Sequence, residues 1–467
     1  MKNKERLLWI FIAVILSVSL IITNGTKLVK AQYLNDSATK ALNLFQAVYV
    51  KVLTEYVDEQ KPEDLIHNAI DGMIKGLGDP HSSLLKPKNL SALKTETTGQ
   101  YGGLGIQVGM RDNKITVIAP MEDTPAERAG LRPDDKIIKI NGTNAIGIEL
   151  ETAVEKLRGP VGEPVTITIE REGEKEPFDV TIVREIINIK SVKLATVATD
   201  IGYIRITSFS QNTPDQLATI LKNISNSNYN GLIIDLRNNP GGLLESALKI
   251  SDMFLDGGVI VSTRGRTSFS KQENYANPGT LIDDSLPLIV LVNKGSASAS
   301  EIFAGALQDR KRALLLGTQT FGKASVQTLV NLDEGYGLRL TIARYYTPAD
   351  RLIDKKGLTP DIIVELPQLS REEIEMITRL DKTNIVRKFA LEYKDKEIKD
   401  EDFEKLKAEV KKAGIEVKDS ILRSRLKFEQ TRKYGEVDIN LELDDQLREA
   451  VQILKSYPVL YRSKSSR

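Results

Sequence analysis

The pattern of apolar and polar residues changes along the chain, and the changes divide it into segments of different predicted structure. Between residues 32 and 98 apolar residues recur at helical spacing, which predicts helices with one apolar face for packing or for dimer formation. That face consists of Leu42, Leu44, Phe45, Val48, Tyr49, Val52 and Leu53. His81 follows a proline at the end of this segment, where a turn is expected, and we interpret it as structural.

Residues 99–184 show short alternating stretches separated by glycines, which is typical of a small β-rich domain. Residues 185–366 alternate strand-like apolar runs with helical patterns and predict an α/β domain, with strands at 201–206, 231–236 and 288–292 and helices at 213–224 and 243–254. Residues 367–467 are rich in charge and helix formers, and an amphipathic helix is expected from residue 441. The sequence therefore predicts an α/β multidomain protein with helical ends.

The composition excludes several classes of function. Lysine and arginine total 65 against 64 acidic residues, so no excess of positive charge favours nucleic acid as a partner. The chain has no cysteine, which excludes disulfides, thiol nucleophiles and thiolate metal sites. With only two histidines as well, a transition-metal site is not expected, and we expect no cofactor.

The N-terminus carries a targeting signal. Lys2, Lys4 and Arg6 precede an apolar to weakly polar stretch at residues 7–23, which predicts a signal peptide or a membrane anchor within residues 1–31. Small residues around Lys30 allow cleavage, but the length of the apolar run also allows an uncleaved anchor. We therefore expect the remaining chain outside the cytoplasm, in the cell envelope.

A serine-dense turn is the first candidate for chemistry. Residues 293–301 read Asn-Lys-Gly-Ser-Ala-Ser-Ala-Ser-Glu, after an apolar strand pattern and before a helical one. A strand that turns into a helix can hold a hydroxyl beside the free N–H groups of the helix start. A serine needs a base to remove its proton, and since histidine is scarce the sequence favours lysine. Lys323 has small or apolar neighbours in sequence and no adjacent acid, a setting that lowers the pKa of an ammonium group.

Two other interpretations of these residues exist. Ser298 followed by Glu301 fits a helix capping box, in which the serine has only a structural role. The spacing from Gly317 to Lys323 matches a phosphate-binding loop, but Ala324 stands where magnesium binding requires serine or threonine. A lysine by itself is most often a solvated surface charge.

Taken together, residues 293–305 and 321–327 resemble the nucleophile and base motifs of the carboxyl-terminal processing proteases, also called tail-specific proteases or peptidase family S41. The resemblance implies that Ser298 is the nucleophile, Lys323 the general base and Gln327 the residue that orients the lysine. It also implies a crotonase-like α/β core. An extended strand would place Lys323 and Gln327 on one face, because they are four residues apart.

The same resemblance implies an oxyanion hole. One donor is the N–H of Ala299, and the other comes from the loop Asn239-Pro240-Gly241-Gly242. Both Gly241 and Gly242 stay open as the second donor.

The β-rich segment resembles a PDZ domain, through Gly102-Gly103-Leu104-Gly105-Ile106-Gln107-Val108 and a later Ala-Gly-Leu-Arg-Pro-Asp-Asp stretch. In such domains loop N–H groups bind a peptide C-terminal carboxylate while the peptide adds as a strand to the sheet edge. The implied peptide-binding residues are Gly103, Leu104, Gly105 and Ile106, with apolar residues of a helix near Ala153, Val154 and Leu157. Arg158 is a candidate substrate-responsive contact, or else a solvent-facing charge.

The expected function is that of an extracytoplasmic serine endopeptidase. It would recognise the free C-termini of protein or peptide substrates through its PDZ domain and cut by an acyl-enzyme mechanism, as a homo-oligomer, with the N-terminal segment contacting the membrane. The alternative is a catalytically silent or gated PDZ scaffold that binds protein C-termini.

Overall fold

A computed structural model describes residues 36–225, 227, 229–365, 370–393, 398–431, 439, 441 and 444–465, with side chains described up to Ser456 in the last helix. The predicted signal peptide or anchor lies outside these residues. Among the helices that are described, none has the length and apolar character needed to cross a membrane. The chain forms two compact units, residues 1–84 and 85–467, which are described separately.

The described part of the first unit is mainly helical. Helices α1 (Asp36–Glu55) and α2 (Pro62–Lys75) are followed by the short strand β1 (Ser83–Leu85) at its boundary. No residue of α1 is buried, and Leu42 and Leu44 of the predicted apolar face are exposed. This face is therefore accessible in a single chain.

The second unit begins with α3 (Pro87–Thr98) and a β-rich domain. A two-stranded ribbon of β2 (Gln100–Gly103) and β9 (Glu185–Asn188) forms its base. Its sheet has the order β3–β4–β5–β7–β8, with β6 paired to β5. The bounds are β3 Ile106–Arg111, β4 Lys114–Pro120, α4 Pro125–Arg128, β5 Lys136–Ile140, β6 Thr143–Asn144, α5 Leu150–Leu157, β7 Pro164–Glu170 and β8 Phe178–Val183.

The α/β domain is built on a six-stranded sheet in the order β10–β11–β12–β15–β16–β19, in which all neighbours except β10 and β11 are parallel. Strands β12 and β15 are fully buried, because helices cover both faces of the sheet. The bounds are β10 Val192–Val197, β11 Ile201–Ile206, α6 Thr213–Ser225, β12 Gly231–Asp235, α7 Leu244–Asp252, β15 Leu288–Val292, α8 Ala299–Asp309, β16 Leu314–Gly317 and β19 Ile362–Ile363.

A second sheet lies in the same domain. In it β18 pairs with β13 and with β17, and β13 pairs with β14. These strands are β13 Gly258–Gly265, β14 Gln272–Ala276, β17 Ser325–Asn331 and β18 Gly337–Tyr346, with short 3-10 turns at Ser268–Ser270 and Asp333–Gly335.

The C-terminal region is helical, as predicted. Four helices share a separate apolar cluster: α9 Arg371–Thr383, α10 Ile385–Glu392, α11 Asp400–Lys412 and α12 Asp419–Thr431. The last helix, α13 (Asp445–Ser465), instead packs Leu447, Val451 and Leu454 on the α/β sheet, on the face opposite α6, α7 and α8. It begins at Asp445, four residues later than the pattern predicted, whereas the strands at 201–206 and 288–292 have the predicted bounds. The segment boundaries at 98, 184 and 366 stay predictions.

Candidate active site

Two loops meet at the carboxyl ends of the neighbouring parallel strands β12 and β15. One loop contains Asn239 and leads into α7, and the other contains the serine turn and leads into α8. Asn239 ties them together, because its carbonyl accepts from the N–H of Ala297 at 3.0 Å and from the hydroxyl of Ser300 at 2.9 Å. Its side-chain amide also donates to the carbonyl of Ile206 on β11. The strand order thus brings the two loops together, and buried polar contacts fix their relative position.

The three serines of the turn differ in what their hydroxyls do. Ser296 and Ser300 are fully buried and donate to the carbonyls of Leu236 and Asn239. Ser298 is only half-buried and lines a cavity, and its backbone has φ 55° and ψ −115°. A non-glycine residue in this conformation costs of order 1–3 kcal/mol and is held by its surroundings. Ser298 is therefore the serine of the turn that borders open space.

Glu301 connects the serine turn to the lysine segment. Its carboxylate is buried and accepts from the N–H groups of Ser298 and Lys323 through one oxygen, each at 2.9 Å. The other oxygen accepts from the N–H of Gly322 at 2.7 Å and from the hydroxyl of Thr320. Burial raises the pKa of the Glu301 carboxyl above its ordinary value, and these four hydrogen bonds oppose that rise. Glu301, which was predicted as a capping partner, thus also connects its helix to a distant segment, because Thr320, Gly322 and Lys323 lie outside that helix.

Tyr345 makes a second connection between the same two segments. Its buried hydroxyl lies 2.6 Å from the carbonyl oxygen of Lys323 and 3.1 Å from that of Ser298. Burial, with the negative charges of Glu301 and Asp354, raises the pKa of Tyr345 well above its ordinary value. The phenol therefore stays protonated at neutral pH and acts as a donor. No sequence motif identified this residue, which comes from the end of β18.

Hydrogen bonding in the glycine loop distinguishes Gly241 from Gly242 as the second candidate oxyanion donor. The N–H of Gly241 donates to Oδ1 of Asn239 at 2.9 Å. The N–H groups of Gly242 and Ala299 donate no hydrogen bond among the described residues. A Cβ on Gly241 would lie 2.8 Å from the nitrogen of Ala299, so the loop passes directly against the serine turn. Of the two glycines, Gly242 is therefore the one whose N–H is available to bind an oxyanion.

A cavity of about 120 Å³ opens beside Ser298. Its wall combines apolar and polar groups, to which Ser325 and Gln327 contribute; it is lined by Gly242, Leu243, Leu244, Ser298, Ala299, Ile302, Ser325, Val326, Gln327 and Tyr345. A space of this size accepts one side chain next to Ser298.

The segment around Lys323 departs from the expected geometry. Strand β17 begins at Ser325, so Lys323 lies before it and does not share one extended strand with Gln327. Opposite Val326 and Gln327, the pairing partner β18 carries one extra residue, Ile342, so the register shifts there. The side-chain amide of Gln327 donates to the hydroxyl of Ser325 at 2.8 Å and lies 3.3 Å from that of Thr341. The roles assigned to Lys323 and Gln327 stay predictions.

A network of charged residues supports the end of β12, from which the glycine loop begins. Asp235, at the end of β12, is fully buried and forms ion pairs with Arg205 and Arg237. Burial alone would raise the pKa of Asp235, but these arginines hold it below its ordinary value. Arg237 also binds Asp444, immediately before α13, through both carboxylate oxygens at 2.7 and 2.8 Å. The C-terminal helix is thereby connected to the loop that leads to Gly242.

The β-rich domain has the loop expected for a peptide carboxylate. The N–H groups of Leu104 and Gly105 donate no hydrogen bond within the part of the chain that is described. Gly105 has φ 76°, and a Cβ there would lie 2.3 Å from the side chain of Thr124, so this position requires glycine. Gly103 is also closely packed, since a Cβ there would meet the ring of Tyr101 at 2.7 Å.

The side-chain part of the expected peptide site needs one correction. Ala153 is fully buried in the domain core, so it does not line an open pocket, and Leu157 is nearly as buried. Ile106 on β3 and Val154 on α5 are half-buried and remain available. Arg158 is exposed but not isolated, because its guanidinium lies over the ring of Tyr101, 4.2 Å from the centroid.

Comparison with known families and proteins shows what the domains of this chain resemble. Residues 200–364 match the model of peptidase family S41, residues 116–171 match a PDZ domain, and residues 18–88 match the activating protease CtpB N-terminal domain. A carboxy-terminal-processing protease of Bartonella bacilliformis is 45% identical over 362 residues, which cover 76% of this chain and 83% of that protein. The carboxy-terminal processing protease CtpA of Bacillus subtilis is 32% identical over 373 residues, 79% of each chain.

Among solved structures, the photosystem II D1 C-terminal processing protease matches with 31% identity and a TM-score of 0.41, covering 69% of this chain and 94% of that one.

Proposed function

The chain belongs to peptidase family S41, among the carboxyl-terminal processing serine proteases, and on that basis we propose that it cleaves protein substrates with Ser298 as nucleophile and Lys323 as general base. The observation that carries this proposal is the shared anchoring of the two residues. Ser298 and Lys323 are bound through their main chains to the same two side chains, Glu301 and Tyr345.

The proposed reaction has two stages. The neutral amine of Lys323 takes the hydroxyl proton of Ser298 while Oγ attacks the scissile carbonyl carbon. The amine then returns the proton to the leaving nitrogen as the C–N bond breaks, which leaves an acyl-enzyme. A water molecule, deprotonated by the same amine, then attacks the ester carbonyl. As the C–Oγ bond breaks, the ammonium returns this proton to Oγ, and the new C-terminus is released. Gln327 positions the lysine side chain in this proposal.

The negative charge that develops on the oxygen of the scissile carbonyl must be stabilised by hydrogen-bond donors next to Ser298. We assign this role to the N–H groups of Ala299 and Gly242, because neither donates elsewhere among the described residues. The N–H of Gly241 is occupied by Asn239, which favours the neighbouring glycine. Such preorganised donors stabilise a tetrahedral oxyanion by several kcal/mol.

Substrate selection is proposed to lie in the PDZ domain. The open N–H groups of Leu104 and Gly105 suit a terminal carboxylate, and β3 is an edge strand to which a peptide can add beside Ile106. Arg158 stands near this loop, stacked on Tyr101, and is proposed to respond to a bound tail. The preferred substrates are then proteins with free, apolar C-termini.

The setting of the enzyme is also a proposal. The basic and apolar N-terminal residues support export to the cell envelope, either as a signal peptide or as a membrane anchor. The exposed apolar face of α1 supports formation of a homodimer.

Cleavage of an unstructured protein with a free apolar C-terminus tests the proposal. The full chain should cut it, and Ser298→Ala and Lys323→Ala should not, whereas Lys294→Ala, which removes an exposed lysine of the serine loop, should cut normally. A C-terminally amidated substrate should be cut more slowly. Full activity of Ser298→Ala would refute the nucleophile. Tail binding with no cleavage by the unaltered chain would favour a scaffold or a gated enzyme.

A further inference from the structure

Strand β17 has an open edge that runs away from the candidate nucleophile. Among the described residues it pairs only with β18, so the main-chain groups on its other side have no strand partner. Its first residues, Ser325, Val326 and Gln327, line the same cavity as Ser298. The strand then continues to Asn331, with Leu329 and Val330 partly exposed.

This edge lacks the protection that exposed strands normally carry. Edge strands avoid unwanted pairing through charges, prolines or short length. The other described edge strands of five or more residues each contain a charge: Lys193 in β10, Glu273 in β14, Asp179 in β8 and Arg111 in β3. Strand β17 is seven residues long and reads Ser-Val-Gln-Thr-Leu-Val-Asn, with neither charge nor proline. Such a strand is prone to pair with another extended chain.

The one irregularity in the pairing of β17 with β18 lies at the end near the cavity, and its extra residue, Ile342, belongs to β18. Beyond it the pairing with β18 is regular from Gln327 to Asn331, so this part of the strand stays straight enough to accept a partner. At about 3.3 Å per residue the seven residues span roughly 23 Å. That length is sufficient to align several substrate residues on one side of the bond that is cut.

We propose that the substrate polypeptide binds the catalytic domain as an added β-strand along the free edge of β17, which delivers its scissile bond to Ser298. This inference rests on the proposed function and specifies how that site holds its substrate. Main-chain hydrogen bonds supply the binding, so most substrate side chains are tolerated, and only the one that enters the 120 Å³ cavity is selected, by the size of that space.

Added strands leave a periodic signature, because alternate residues of a strand turn their N–H groups toward the same neighbour. The test uses a synthetic peptide that the unaltered enzyme cuts at one bond. A series of peptides carries a single N-methyl group at each of six positions on either side of that bond, and kcat/KM is measured for each. A parallel series with ester bonds removes the same N–H groups without adding a methyl group.

On one side of the bond, we expect substitution at every second position to lower kcat/KM roughly tenfold in both series. Substitution at the positions between these should change kcat/KM little. Binding of the same peptides to Ser298→Ala should alternate in phase with the kinetics. Losses that are uniform, or confined to the bond itself, would overturn the β17 inference while leaving the peptidase intact. Failure to cut the unmodified peptide, or cutting by Ser298→Ala, would instead refute the proposed function.

Discussion

The main-chain N–H groups of Ser298 and Lys323 donate to the same carboxylate oxygen of Glu301, each at 2.9 Å. Their carbonyl oxygens in turn both lie within hydrogen-bonding distance of the hydroxyl of Tyr345. The nucleophile and base segments are therefore held by a carboxylate on one side and a phenol on the other. Neither segment can shift without breaking a contact that also holds the other.

Tyr345→Phe removes the phenol contact and keeps the buried ring. We expect kcat to fall roughly tenfold with little change in KM, because the carbonyls of Ser298 and Lys323 lose a donor worth about 1–1.5 kcal/mol. Steady-state kinetics and circular dichroism check this. The control is Tyr346→Phe, since that ring packs under Arg264 and should leave kcat unchanged. Equal rates for the unaltered enzyme and Tyr345→Phe would contradict the positioning role.

Glu301→Gln replaces one acceptor oxygen with a donor, which then faces N–H groups it cannot bind. Activity at neutral pH should fall by more than tenfold, because the main chains of Ser298 and Lys323 are no longer held together. Peptide cleavage measures this directly. Retention of normal cleavage would mean that Tyr345 alone fixes the two segments.

The same carboxyl gives a stability prediction with a definite sign. Burial raises the pKa of Glu301 above its ordinary value of 4.5, so the native state binds more protons than the unfolded state between those two pKa values. Its contribution to stability is complete below pH 4.5 and is lost as the pH rises through the raised pKa. The free energy of unfolding of the unaltered chain, minus that of Glu301→Gln, should therefore decrease with rising pH. Denaturant unfolding in a pH series tests this, and an increase would show that the hydrogen bonds outweigh burial.

Ser298→Gly should be more stable than Ser298→Ala by about 1 kcal/mol, although both should be inactive. The reason is the backbone of residue 298, with φ 55°, which glycine adopts without strain and alanine does not. Thermal or denaturant unfolding of the two variants measures the difference. Equal stability of the pair would mean that the turn carries no strain.

Truncation of Arg237 and truncation of its partner Asp444 should lower the stability of the protein by different amounts. Arg237→Ala leaves Asp235 buried with only Arg205 as a cationic partner, and we expect a loss of roughly 3 kcal/mol together with lower activity. Asp444→Ala leaves Arg237 bound to Asp235 and should cost about 1 kcal/mol. Chemical denaturation gives both values.

Lys249→Ala is the control for this pair, because it removes an exposed ion pair with Glu245 and should change stability by less than about 0.5 kcal/mol. Similar losses for Arg237→Ala and Asp444→Ala would contradict the asymmetry.

The sequence predicted the elements whose signal is local. The strand at Leu288–Val292 is an unbroken apolar run, and a strand buried on both faces needs no more information than that. The family motifs likewise identified Ser298 and Lys323 as candidates, because the residues that mark them are close together in sequence. The assignment of these roles still depends on the kinetic tests above.

The remaining features depend on contacts between distant residues. Glu301 was expected only as a capping partner, since a local pattern contains Ser298 but not Gly322 or Lys323. Placing Lys323 and Gln327 on one strand was wrong, because the strand begins only at Ser325. No local sequence motif identified Tyr345, because its adjacent residues do not indicate that its hydroxyl contacts two carbonyl groups on other segments.

The ion pair between Arg237 and Asp444 joins residues that are 207 positions apart. A ribosome therefore completes the serine turn, the lysine segment and the glycine loop well before it adds the carboxylate that holds Arg237 from α13. Until that last helix emerges and docks, the loop carrying Gly242 lacks part of its support. The order of synthesis thus places these loops ahead of the residue that completes the support of Arg237, so a chain shortened before Asp444 lacks that contact.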